Sequence, residues 1–496
     1  MSRHPNYDQL AATFLRIYRF EHLQAITMWD HSTYMPPGGA EARSAALGEL
    51  AALIHRMRTA PELGELLARA ADEALDDEQR ANLREMQRTW RHATALPESL
   101  VHAATMAGAH CEHAWRSQRP ANDWAGFVPN LREVVRLTRE QAALLSDKLG
   151  LSKYDALMDR FEPGMRSAEV DRLFGAVKTW LPALIQNVRA RQERERVVEA
   201  QGPFPIAAQR ALCERVMQLL QFDFAGGRLD VSTHPFSGGV PEDVRLTTRY
   251  SETEFAQSLM GTIHETGHGR YEQGRPRALL GQPVSEARSM AIHESQSLSF
   301  EMQLGRSRPF MELLAPLLVE YLGRQPAFEP DNLFRLYTRV RPGLIRVDAD
   351  EVTYPAHVIL RYEIERPLVE GEIEVEDIPA LWDHKMEQLL GLDTRGNYKD
   401  GPMQDIHWTD GAYGYFPCYT LGAMYAAQWF ATMRRAQPTL DADVGCGKLG
   451  GIFDWLRANI WEQASRFETA ELTRRASGGP LDPEHLRAHL EARYLG

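Results

Sequence analysis

A mainly α protein with one small β-sheet is the fold the sequence predicts, and three observations predict it. Apolar residues recur every three to four positions, with charges between them, along most of the 496-residue chain. β-Branched runs bracket a Ser-Gly-Gly-Val-Pro turn in one place, between Arg228 and Tyr250. No fixed-period repeat and no low-complexity tract interrupts the pattern.

Taken in order, "EARSAALGELAALIHRMRTAPELGELLARAADEAL" from Glu41 spaces Ala, Leu and Ile at helical intervals. "LREVVRLTREQAALLSDKLG" repeats the habit and stops at Gly150, a residue suited to a C-cap. Val170 to Gln201 reads as one long helix bent near Pro182. The stretch "RLDVSTHPFSGGVPEDVRLTTRY" (Arg228 to Tyr250) reads as a hairpin or two edge strands, with Asp243 and Arg245 paired to hold it. Ser251 then opens a helix, with Glu254 completing a capping box, and Phe255, Leu259 and Ile263 form its apolar stripe. The expected organisation is a single unit: a helical lobe over about 1–225, the sheet over about 228–250, and a helical region over about 251–496.

Composition narrows the partners. Hydrophobic residues at 44% and charged residues at 25% are ordinary for a globular chain in water. A net charge of −12, with no basic run to offset it, argues against a nucleic-acid backbone as partner. "RARQERER" (Arg189 to Arg196) reads as a solvated helix face. Four scattered cysteines without a CxxC pair fit a reducing cytoplasm. The first residues lack a signal-peptide core, and no apolar run reaches 18 residues, so no membrane span is expected.

The chemistry concentrates in "GTIHETGHGRYEQG". His264 and His268 lie four apart, so a helix projects both imidazoles from one face, close enough to share one ion. Glu265 sits beside that edge as a candidate general base, the pattern of a zinc peptidase helix. Gly267 inside such a helix points to close packing against a neighbour. A third ligand is required. A histidine ten residues beyond His264 is excluded, since position 274 is Gly274. A second helix, "EARSMAIHESQSLSFEMQLG", offers Glu286, His293, Glu294 and Glu301. Glu294, in an otherwise apolar stretch 26 residues past His268, is favoured. Four residues beyond Glu294 stands Leu298 rather than an orienting Asp, so the histidines' supports must come from elsewhere.

In order along the chain stand His234-Pro-Phe, Asp243-x-Arg245-x-Thr247, His264-Glu-x-x-His268 and His293-Glu294-Ser-Gln. Ile345-Arg346-x-x-Ala349-Asp350 and Gly401-x-x-Gln404-Asp405-x-His407-Trp408 follow. With these six motifs the chain resembles the carboxypeptidase Taq family of metallocarboxypeptidases along nearly its whole length. The resemblance implies a neurolysin-like fold: two helical lobes about a deep groove, with the small sheet at its wall. It also implies a homodimer and peptide substrates with a free C-terminus.

On that footing His264, His268 and Glu294 would hold Zn²⁺, with Co²⁺ or another divalent ion an alternative, and Glu265 would act as general base. Arg346 would clamp the substrate carboxylate, the bland alternative being a surface pair with Asp348 or Asp350. His407, His234, Tyr415 and Tyr419 are candidate hydrogen-bond donors to the substrate or the oxyanion. Two rivals share the pattern. An endo-oligopeptidase or dipeptidase would need no carboxylate clamp, and a helical binding protein would need no intact base.

Overall fold

The computed structural model describes residues 3–233 and 235–496; His234 lies outside them. Helices dominate from Pro5–Thr33 to Glu484–Leu495, and a buried apolar cluster runs from Cys111 to Tyr494. A second, smaller cluster joins Leu10, Phe14 and Ile17 to Leu63, Leu66, Leu67 and Met86. The helix Trp124–Leu149 ends on Gly150 at φ 69°, where a left-handed residue closes the last turn.

Three expectations are corrected. The long helix covers only Ser167–Gln192, with Pro182 inside it. Beyond it the charge-dense chain offers no apolar face to bury and is pinned instead by side chains, the Val198 amide donating to Asn332 Oδ1 at 2.8 Å. The sheet has three strands rather than two: β1 (Gly227–Val231), β2 (Ser237–Val240) and β3 (Asp243–Thr248). Their order is β1-β3-β2, with β1 parallel and β2 antiparallel to β3. The Ser-Gly-Gly-Val stretch is therefore strand, with Gly239 at φ +90°, and the reversal falls on Pro241-Glu242. As expected, Arg245 donates to Asp243 through both Nε (3.0 Å) and Nη2 (2.7 Å).

The third correction concerns the histidine helix, which spans Ala256–Gly274 and not Ser251 onward. Glu254 caps it directly, accepting from the Ala256 and Gln257 amides at 2.6 and 2.9 Å. Phe255, Leu259 and Ile263 are buried as their spacing requires.

Two glycines set the next layer. A Cβ on Gly267 would lie 2.5 Å from the Gln296 carbonyl oxygen, so this helix meets Met290–Leu298 backbone to backbone. From the other side, a Cβ on Gly422, in the helix Pro417–Ala436, would lie 2.8 Å from Glu294 Cβ. The helix carrying Glu294 is thus held between two close neighbours, and that sandwich delivers Glu294 to the histidines. It continues into a π-helical stretch, Ser299–Gly305.

Candidate active site

His264, His268 and Glu294 each offer a ligand atom, and the three atoms lie within 4.8 Å of one another. His268 Nε2 is 3.5 Å from Glu294 Oε2. Each histidine is held from behind. Glu301 Oε2 lies 2.9 Å from His264 Nδ1, and Arg306 donates to the other Glu301 oxygen at 2.6 Å. His293 Nδ1 lies 2.6 Å from His268 Nδ1, and its Nε2 lies 3.0 Å from Glu272. Arg275 completes that chain, donating to Glu272 at 2.6 Å and pairing with Glu286 at 3.0 Å.

These contacts occupy the Nδ1 edges of both histidines and leave their Nε2 edges for a ligand, with His268 Nε2 facing Glu294. Of the four acidic and histidine side chains the second helix offered, one joins the cluster; His293 and Glu301 back the histidines, and Glu286 holds Arg275. Burial raises both supporting carboxylates, but Arg275 and His293 hold Glu272 down at about 2, and Arg306 and His264 do the same for Glu301. Both stay ionised at neutral pH. Two imidazole nitrogens and one carboxylate oxygen are a donor set that fits a divalent ion such as Zn²⁺.

Glu265 is 7% exposed, and its carboxylate has no hydrogen-bond partner among the described residues. Burial pushes its pKa up to about 7, against the opposing pull of His264.

Arg346 does not make the surface pair that was its alternative. It is buried, donating through Nε to Asp405 (2.9 Å) and through Nη1 to the Tyr354 hydroxyl (2.8 Å). Asp350 instead accepts from the Arg341, Val352 and Thr353 amides. Arg361 takes the second Asp405 oxygen at 2.6 Å, so one carboxylate braces two guanidinium groups. Gln404 accepts from the Arg346 amide at 2.8 Å. Nη2 of Arg346 makes no hydrogen bond among the described residues, leaving one edge of the fork open.

Beside it, His407 Nε2 lies 3.1 Å from the Tyr419 hydroxyl, and Arg346 stands over the Tyr419 ring at 5.0 Å. Burial, assisted by Arg346, lowers His407 to about 4, so its imidazole is neutral at pH 7. Tyr415 packs edge-on against Tyr419, ring centres 5.3 Å apart. Asp405, Arg361, Tyr354, Glu301, Arg306, Glu272 and Arg275 went unassigned as supports in the sequence. Glu272 did carry a signal, standing four residues after His268 on the same helix face.

A family model described as carboxypeptidase Taq (M32) metallopeptidase matches residues 9–494. Thermostable carboxypeptidase 1 of Thermus thermophilus is 37% identical, over 95% of this chain and 95% of its own. Among solved structures, Trypanosoma cruzi metallocarboxypeptidase 1 superposes with a TM-score of 0.98 at 48% identity, covering 100% of both chains. The Pyrococcus furiosus carboxypeptidase gives 0.94 at 32% identity, over 99% of each.

Proposed function

The chain belongs to the carboxypeptidase Taq (M32) family and is a metallocarboxypeptidase, and from that premise we propose that it releases single C-terminal residues with Glu265 as general base. The observation that carries this reading is the convergence of His264, His268 and Glu294 beside a buried, unpartnered Glu265.

His264, His268 and Glu294 hold the metal in this proposal, Zn²⁺ being the ion that suits the set best. When bound, the ion supplies a Lewis acid that acidifies water and polarises the scissile carbonyl. Glu265 takes the proton from the attacking water and returns it to the leaving amine. Arg346 receives the C-terminal carboxylate on its open Nη2 edge, a charge-assisted contact that Asp405 and Tyr354 keep in register. Neutral His407 and the Tyr419 and Tyr415 hydroxyls stand on the same side as donors to the substrate or the oxyanion.

The whole chain acts as one peptidase unit in this reading, in keeping with the single family match over residues 9–494. Four free thiols favour the cytoplasm, no helix among the described residues is long and apolar enough to cross a membrane, and a homodimer is the assembly the family resemblance suggests. Release of the last residue from N-blocked dipeptides, abolished by chelation and restored by stoichiometric Zn²⁺, tests the reading. Cleavage that survives complete metal removal would sink it.

A further inference from the structure

A cavity of about 890 Å³ opens beside the site, between the helices Asp77–Ala95, Glu98–Gln118 and Trp124–Leu149 and the turn at residues 410–412. None of His264, His268, Glu294, Arg346 or His407 lines it. It is nevertheless adjacent to them, because Phe161 in its wall meets the Tyr415 ring edge-on at 5.1 Å.

Arg160 also lines this cavity, its guanidinium 5.6 Å from the centre of the Phe161 ring. It makes no ion pair and no side-chain hydrogen bond among the described residues. Its side chain is exposed, so the guanidinium is open to solvent from the cavity. The nearest carboxylate in sequence is committed elsewhere: Asp159 is shared by His92 (3.1 Å), Arg166 (3.3 Å) and Arg88 (3.6 Å). Asp410, the acid in the cavity lining, pairs with none of these cations. The other arginine of the lining, Arg58, is paired with Glu21, so Arg160 is the cavity's unpaired cation among the described residues. A guanidinium fork suits a carboxylate.

We propose that Arg160 binds an acidic side chain of the peptide, upstream of the residue being released, and so makes acidic peptides favoured substrates. The proposal rests on the carboxypeptidase reading. A peptide whose upstream residues pass Tyr415 enters this cavity at Phe161. An extended chain advances about 3.3–3.6 Å per residue, so the position that meets Arg160 is found by moving one charge along the peptide.

The test uses the metal-loaded enzyme and N-blocked peptides of constant C-terminal residue, with one Glu, Gln or Lys moved through the second to fifth positions from the C-terminus. Glu should exceed Gln in kcat/KM by about five-fold or more at one or two of these positions, Arg160 being partly solvent-screened. Added salt should shrink that ratio. In Arg160→Gln the Glu/Gln ratio should fall to near one, and in Arg160→Glu the Lys peptide should become the better substrate. Equal kcat/KM for Glu and Gln at every position in the unmodified enzyme overturns the proposal without any variant. So does a Glu preference that survives Arg160→Gln. If no peptide at all loses its last residue, the carboxypeptidase reading fails and takes this one with it.

Discussion

Glu301 stands 2.9 Å from Nδ1 of His264, with its other oxygen held by Arg306, so a part-buried carboxylate fixes which edge of that imidazole is left for a ligand. It lies three positions beyond Leu298, inside the π-helical stretch Ser299–Gly305, whereas a simple helical repeat would have put the support at Leu298 itself. The wider turn re-aims the side chain.

Glu301→Gln should therefore weaken metal binding by about 10- to 100-fold, the usual weight of a ligand's supporting hydrogen bond. Competition against a chromophoric chelator measures it. An unchanged affinity would mean that the protein matrix alone holds His264 in place.

Glu294→Ala should lower metal content sharply, because two histidines leave the site incomplete. Full stoichiometric zinc after dialysis would contradict the ligand assignment. His293 and Glu301 already face the histidines' rear edges, so neither is placed to substitute.

Glu265→Gln should keep its metal and lose at least about 10²-fold in kcat, the typical share of general base catalysis. The amide preserves size but accepts no proton. Turnover within a few-fold of the parent would remove Glu265 from the mechanism.

Asp405→Asn should destabilise the fold by about 3–5 kcal/mol at pH 7, since two buried guanidinium groups lose their counter-charge. Burial raises the Asp405 pKa, but Arg361 and Arg346 outweigh it and hold the carboxyl well below the usual range. Its stabilising contribution is then complete above the unfolded-state value near pH 4 and is lost as pH falls further. Urea melts at pH 7 and pH 3 should show the gap between parent and variant narrowing at the lower pH. A gap equal at both would assign the effect to lost hydrogen-bond geometry instead of charge.

The cluster of His264, His268 and Glu294 could be traced in the sequence because helical periodicity converts spacing into direction. His264, His268 and the placement of Gly267 follow from a period of 3.6 residues, and Glu294 from its apolar surroundings. The supports were hidden for physical reasons. Glu301 reaches His264 through a π-helical turn that breaks the period, and Asp405 reaches Arg346 from 59 residues away. The third strand was missed because Ser-Gly-Gly carries turn composition, while Gly239 takes a positive φ within the strand itself. The early start assigned to the histidine helix came from reading a capping box where Glu254 caps from just outside.

The central claim is that a buried Arg346 selects a free C-terminus for the metal site to cut. The direct measurement is kcat/KM for one N-blocked dipeptide as free acid and as C-terminal amide, in the parent enzyme and in Arg346→Ala. The parent should strongly prefer the acid. The variant should lose about 10- to 150-fold on the acid, the equivalent of a roughly 1.5–3 kcal/mol charge-assisted contact, and far less on the amide. Arg346→Lys should recover only part of the loss, because an ammonium keeps the charge without the planar fork. Equal losses on acid and amide would contradict the claim, leaving Arg346 as a brace for Asp405 and Tyr354 and the carboxylate to be held by another group.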